Sequence, residues 1–127
     1  MHARWTRILD TPDGGSRFAE DVAALEPGEF APPAPPLGLS PAIEARATRF
    51  IGAPVGWDSP AHPAPARQWV VMLAGHVEAS TSDGATRVFG PGDAVLVEDT
   101  TGVGHRTRVV GDEPWIAIVT ELALERS

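Results

Sequence analysis

The stretch Gly56-Trp57-Asp58-Ser59-Pro60-Ala61-His62-Pro63-Ala64-Pro65-Ala66-Arg67-Gln68-Trp69-Val70-Val71-Met72-Leu73-Ala74-Gly75 decides the reading of this chain. Its first half is a proline-broken loop holding one histidine. Its second half is a run of apolar and β-branched residues that stops at glycine, the pattern of a strand. Residues two apart in a strand share a face. With His62 pointing inward, Gln68, Val70 and Met72 therefore lie on the inner side, and Arg67 and Trp69 on the outer.

The rest of the chain has the same texture. Thirteen glycines and 13 prolines among 127 residues, set between short β-branched runs, leave little room for a long helix, so the sequence predicts an all-β domain. The expected strands are Gln68–Ala74, His76–Ser82, Thr86–Phe89, Ala94–Glu98, His105–Val110 and Trp115–Glu121, preceded by Ile43–Ile51 and, nearer the start, Trp5–Leu9 and Arg17–Ala24. Gly75 is read as joining the first two of these in a hairpin, and Asp83-Gly84 as the next turn, since Asp-Gly tolerates the positive φ a tight turn requires. Phe30-Ala31-Pro32-Pro33-Ala34-Pro35-Pro36-Leu37 can hold neither helix nor central strand and predicts an extended, polyproline-like arm, with Phe30 and Leu37 as its packing anchors. The expected organisation is one domain: residues 1–42 as N-terminal strands and arm packing on a barrel of residues 43–127.

Composition removes several classes of function. Cysteine is absent, which excludes disulfides, zinc–thiolate sites and cysteine nucleophiles. A formal net charge of −7 with no lysine argues against phosphate-backbone binding, so no nucleic-acid partner is expected. No apolar run approaches the roughly 18 residues of a spanning helix and the first residues do not resemble a secretion signal, which predicts a cytoplasmic protein with no membrane partner.

A second stretch supports the register of the first. If His105 points inward, Thr107 and Val109 follow it and Arg106 and Arg108 face outward; a slip by one residue would bury two arginines. The predicted interior is apolar, with His62, Gln68, His105 and Thr107 as its polar groups beside Val70 and Met72, the makeup of a small-molecule pocket. Glu98 and Asp99 are expected at its mouth, as a general base or as partners of His105. Arg46 and Arg49 lie on opposite faces of one strand, and Arg46, if inward, could bind a carboxylate; the local pattern leaves the register open. His76 and His2 fall outside the site. The outward residues Trp69, Val71 and Leu73 form an apolar strip that must be covered, by the N-terminal arm or by a second chain.

The spacing Gly56-x5-His62-x-Ala64-x3-Gln68-x6-Gly75, followed by Gly90-Pro91-Gly92-Asp93 and closing on His105, resembles the two motifs of the cupins. The likeness runs from Gly56 to Val110. It implies a jelly-roll barrel, the double-stranded β-helix, and a homodimer paired through the outward strip. It also implies a divalent metal, with His62 and His105 at two of the histidine positions and Gln68 at the position of the acidic ligand. Ala64 stands where a further histidine would be, and Glu98 occupies the usual proline position of the second motif. Two imidazoles and an amide oxygen could hold Zn²⁺, Fe²⁺, Ni²⁺ or Mn²⁺ with coordination positions open. No organic cofactor is implied.

The functional expectation is a metal-dependent lyase, isomerase or dioxygenase acting on a small oxygenated or aromatic compound, with metal at His62, Gln68 and His105 and proton transfer by His105 or Glu98. Two alternatives use the same pocket: a metal-free binding or sensing module, and a metal-free cyclase or isomerase working through one pocket histidine.

Overall fold

The computed structural model describes residues 1–124, and among them there are strands and no helix, hence none long and apolar enough to cross a membrane. The strands are β1 (His2–Asp10), β2 (Ser16–Ala24), β3 (Glu26–Gly28), β4 (Leu37–Leu39), β5 (Ala45–Ala53), β6 (Gln68–Ala74), β7 (His76–Ser80), β8 (Thr86–Phe89), β9 (Ala94–Val97), β10 (Arg106–Val110) and β11 (Trp115–Leu122). Six form one sheet in the order β2-β1-β9-β6-β11-β5, and three form a second in the order β10-β7-β8. Their inner faces meet in one core, where Ile8, Val70, Met72, Val95, Val97 and Ala117 of the larger sheet pack with Val77, Ala79, Phe89 and Val109 of the smaller. The architecture is all-β, as the glycine and proline punctuation predicts.

Alternation along the strands gives the two faces. Val70 and Met72 are buried, while Val71 and Leu73 between and beyond them are exposed on the outside. Val109 is likewise buried, and Arg106 and Arg108 face outward to pair with Asp58 and Glu78 at 2.6 and 3.0 Å. The turn at Asp83-Gly84 joins β7 to β8 in an antiparallel hairpin, with Gly84 at φ +89°.

Three expectations are corrected. The hairpin through Gly75 does not form: β6 pairs with β9 and β11, whereas β7 pairs with β8 and β10. One residue is too short a loop to fold a strand back on its neighbour, so Gly75, at φ +70° and pressed against Pro114, is the corner where the chain passes between sheets. Of the strands in residues 1–42, β1 and β2 do not lie over the larger sheet but are hydrogen-bonded into it, β1 running parallel to β9 with Thr6 opposite Val95 and Ile8 opposite Val97, while β3 and β4 pair only with each other. The proline-rich segment is not an extended arm either. It makes a turn, closed by Ala34 N–H donating to the Ala31 carbonyl, and its base is clamped by the pairing of β3 with β4. Phe30 and Leu37 are exposed rather than anchoring.

β9 runs Val95 in, Leu96 out, Val97 in, and the alternation carries Glu98 to the outside. There Arg7 and Arg67 hold its carboxylate from two sides, at 2.7 and 2.9 Å. Burial works to raise the pKa of Glu98, but the hydrogen bonds and charges of Arg7 and Arg67 outweigh it, and the net shift is downward from 4.5. A carboxylate lowered in this way stabilises the fold above its unfolded pKa and loses that contribution as pH falls through the folded value. Glu98→Gln should therefore cost about 1 kcal/mol at pH 7, both arginines being partly open to solvent. The gap between variant and parent should close as pH is taken below 4.5, followed by thermal denaturation across a pH series. Identical midpoints at pH 7 would show that the cluster has no weight.

Candidate functional site

The site begins with a backbone event. His62, in the loop before β6, and His105, just ahead of β10, each donate a backbone N–H to the other's carbonyl at 3.2 Å. A residue pair that exchanges both bonds in this way projects its side chains to the same face. The two imidazoles accordingly lie side by side, ring centres 6.1 Å apart and planes tilted by 32°. Gly104 allows the approach, because at φ +78° any Cβ it carried would run into the His62 carbonyl.

Each ring is tethered through the same nitrogen. Nδ1 of His62 lies 2.9 Å from the carbonyl of Pro60, which can only accept, so Nδ1 carries the proton and Nε2 the lone pair. Nδ1 of His105 lies 2.6 Å from Oδ2 of Asp99, an acceptor that fixes the same tautomer in the neutral ring. Asp99 is wholly buried, and its Oδ1 has no hydrogen-bond partner among the described residues. A buried polar oxygen without a hydrogen-bond partner is costly, so its place beside His105 calls for an explanation.

The loop that carries Asp99 to His105 is held from the N-terminal strands. Asp10, at the end of β1, accepts from the backbone and hydroxyl of Thr101 at 3.1 and 2.8 Å and from the Gly102 N–H at 3.0 Å. Buried Ser16, at the start of β2, donates to the Gly104 carbonyl at 2.7 Å. Burial tends to raise the pKa of Asp10, but the bonds from Thr101 and Gly102 prevail and it is lowered.

Between the sheets is a cavity of about 170 Å³. His62, Gln68 and His105 line it, as do Val70, Met72 and Thr107, with Ala64 contributing a buried methyl. Glu98 does not line it. The expectation that Glu98 serves as a base at the pocket mouth is corrected by the strand alternation, which turns it outward to Arg7 and Arg67. Its neighbour Asp99 takes the inward place. Trp57, Ile8, Ile51 and Trp115 also line the cavity without having been singled out in the sequence. The even spacing of Thr6 and Ile8 along β1 is the signal that could have found Ile8; Trp57 lies in a loop and had none.

Among the described residues no cluster of three or more His, Asp or Glu side chains could hold a metal ion. The candidate donors are therefore two imidazole Nε2 atoms and the Gln68 amide, with no carboxylate among them. His76 is exposed beside Gly90, and His2 is exposed near the start of the chain.

A family model for the cupin domain matches residues 49–121, more than half of the chain. Among solved structures, DMSP lyase DddQ from Ruegeria pomeroyi DSS-3 is similar, with 27% identity and a TM-score of 0.52 over 66% of this chain and 42% of that one. This chain thus spans less than half the length of that lyase. A protein from Neisseria meningitidis aligns at 16% identity and a TM-score of 0.46, over 66% of this chain and 84% of its own. No curated protein matches. The match from the middle of β5 to near the end of β11 takes in the loop of His62, the turn before β9 and the bridge to His105, and the chain belongs to the cupin family.

Proposed function

We propose that this cupin is an enzyme of small-molecule metabolism, working in the cytoplasm, that holds a divalent ion through Nε2 of His62, Nε2 of His105 and the amide oxygen of Gln68. The observation that carries the reading is the tethering of both opposed imidazoles by Nδ1, which leaves Nε2 as the open nitrogen of each. Anchoring a ligand histidine through its far nitrogen is how proteins orient such ligands. The donor set fits an ion of the Zn²⁺, Fe²⁺, Ni²⁺ or Mn²⁺ type, with borderline nitrogen donors and negative charge supplied from behind by Asp99. It fits less tightly than three imidazoles and a carboxylate would, since Gln68 brings no charge and Ala64 brings only a methyl. When bound, the ion would polarise a substrate oxygen.

The remaining work falls to the chain itself. The apolar walls strip water from the substrate, and Asp99 fixes the His105 ring with its Nε2 turned to the ion; only without an ion would that nitrogen be open to hold or pass a proton. This suits lyase, isomerase or dioxygenase chemistry on a small oxygenated or aromatic compound. The likeness to a DMSP lyase favours the lyase branch. A second reading follows from the Asp99–His105 pair alone: a metal-free acid–base enzyme with His105 as its base. A site that binds or senses its ligand without turnover is the remaining alternative.

Metal analysis by mass spectrometry separates these. The purified protein should carry near-stoichiometric metal that is lost in His62→Ala and Gln68→Ala. Asp99→Asn should weaken metal binding about 10–100-fold, and Ala64→His should tighten it. A protein that takes up no metal after reconstitution with several divalent ions would sink the metal reading. A pH–rate profile altered by His105→Ala and indifferent to chelator would then favour the second.

The proposal includes a homodimer paired through the outer face of the larger sheet. Phe50, Ile118 and Val71 form one cross-strand row there, with Leu73 and Ile116 beside it, and Phe50 is 72% exposed. Light scattering should give twice the chain mass for the parent and the chain mass for Phe50→Asp/Val71→Asp; a monomeric parent at micromolar concentration would remove this part.

A further inference from the structure

The register of β5 settles what its arginines can do. Ile51 lines the cavity, so Arg49, two residues earlier, lies on the same face, and Arg46 on the other. Arg49 helps to wall a hollow that opens off the cavity, the two spaces sharing Ile51, Pro65 and Gln68 as common lining. The acidic residue in this hollow, Glu121, is already engaged by Arg46 at 3.3 Å. Arg49 has no ion pair or hydrogen bond among the described residues, whereas Arg7, Arg46, Arg67, Arg106 and Arg108 all do. A hollow bordering an apolar cavity thus holds a guanidinium with no partner among the described residues, in a chain whose formal net charge is −7.

Gln68 sits between the two spaces. An amide can offer its oxygen to one side and its N–H groups to the other. A glutamate at this position would set a negative charge between Arg49 and the histidines and repel an anion entering past it; glutamine admits one and can donate to it.

Building on the reading of the cavity as a small-molecule site, we propose that its ligand is a small monocarboxylate. Its apolar body occupies the barrel and its carboxylate is held by Arg49, with the Gln68 amide as second donor. Size limits the body: a cavity of about 150 Å³ accommodates a benzene ring, and this one measures about 170 Å³. Arginine suits the role because its planar fork can meet both oxygens of a carboxylate.

The test titrates the purified full-length protein with benzoate and hexanoate and with their neutral counterparts benzamide and hexanamide, read by calorimetry. The carboxylates should bind about tenfold tighter than the amides at low salt, an interaction with a charged donor discounted for exposure. Arg49→Gln should abolish the difference and Arg49→Lys retain part of it. Gln68→Glu should weaken the carboxylates more than the amides. Arg17→Gln, the same charge change among Thr11, Asp13 and Asp83, should leave the difference intact. A preference that survives in Arg49→Gln, or amides binding as well as carboxylates, overturns the anion while leaving the small-molecule site standing. If none of the four compounds binds, the carboxylate proposal falls, while metal content of the parent and of His62→Ala still decides the reading of the site.

Discussion

Everything chemical in this molecule depends on the pair of backbone hydrogen bonds between His62 and His105. The two residues come from different loops, one leading into the six-stranded sheet and one into the three-stranded sheet. Side-chain packing alone would leave two loops free to drift, and a drift of an ångström is enough to spoil a site. The double bridge fixes the separation of the rings by backbone geometry instead. The tethers at Pro60 and Asp99 then fix their rotation. Position and orientation are thus set by different atoms.

Charge around the site is sorted by strand alternation. Glu98 and Asp99 are adjacent, yet one is spent outside between two arginines and the other is sealed inside against an imidazole. The outer carboxylate, neutralised twice, contributes stability. Among the described residues the inner one has a single side-chain partner and an oxygen left over, the kind of polar imperfection that a well-packed interior tolerates where there is a task for it. The same sorting on β5 leaves Arg46 with a carboxylate and Arg49 without one among the described residues.

How much of this could be read in advance depended on whether a strand had an apolar alternation to read. β6 and β10 did: Val70 and Met72 against Trp69 and Val71, and Thr107 and Val109 alternating with Arg106 and Arg108, gave their faces directly. β5 did not, because alanine at 45 and 47 is indifferent to burial and Arg46 and Arg49 are a pair of opposites; only its pairing with β11 decides the matter. Gly75 was legible as a turn but not as a corner, since a lone glycine between two strand-like runs looks the same whether the strands pair or part. Glu98 was misjudged because the end of a strand is where position along the chain and direction of the side chain are most easily confused. The polyproline reading failed for another reason: proline excludes helix and central strand, but does not by itself select an extended path over a turn.

The tie between the beginning of the chain and the loop at 99–104 bears on how the protein acquires its shape. Asp10 and Ser16 grip that loop, and β1 enters the sheet alongside β9, so segments separated by most of the chain must meet before the histidines are held in place. Contacts so distant in sequence are costly in chain entropy before they return any stabilisation, and they slow the folding reaction. During synthesis the first strands would emerge without the parallel neighbour they need and would have to wait for it with an unpaired edge. The barrel closes late, and the site closes with it.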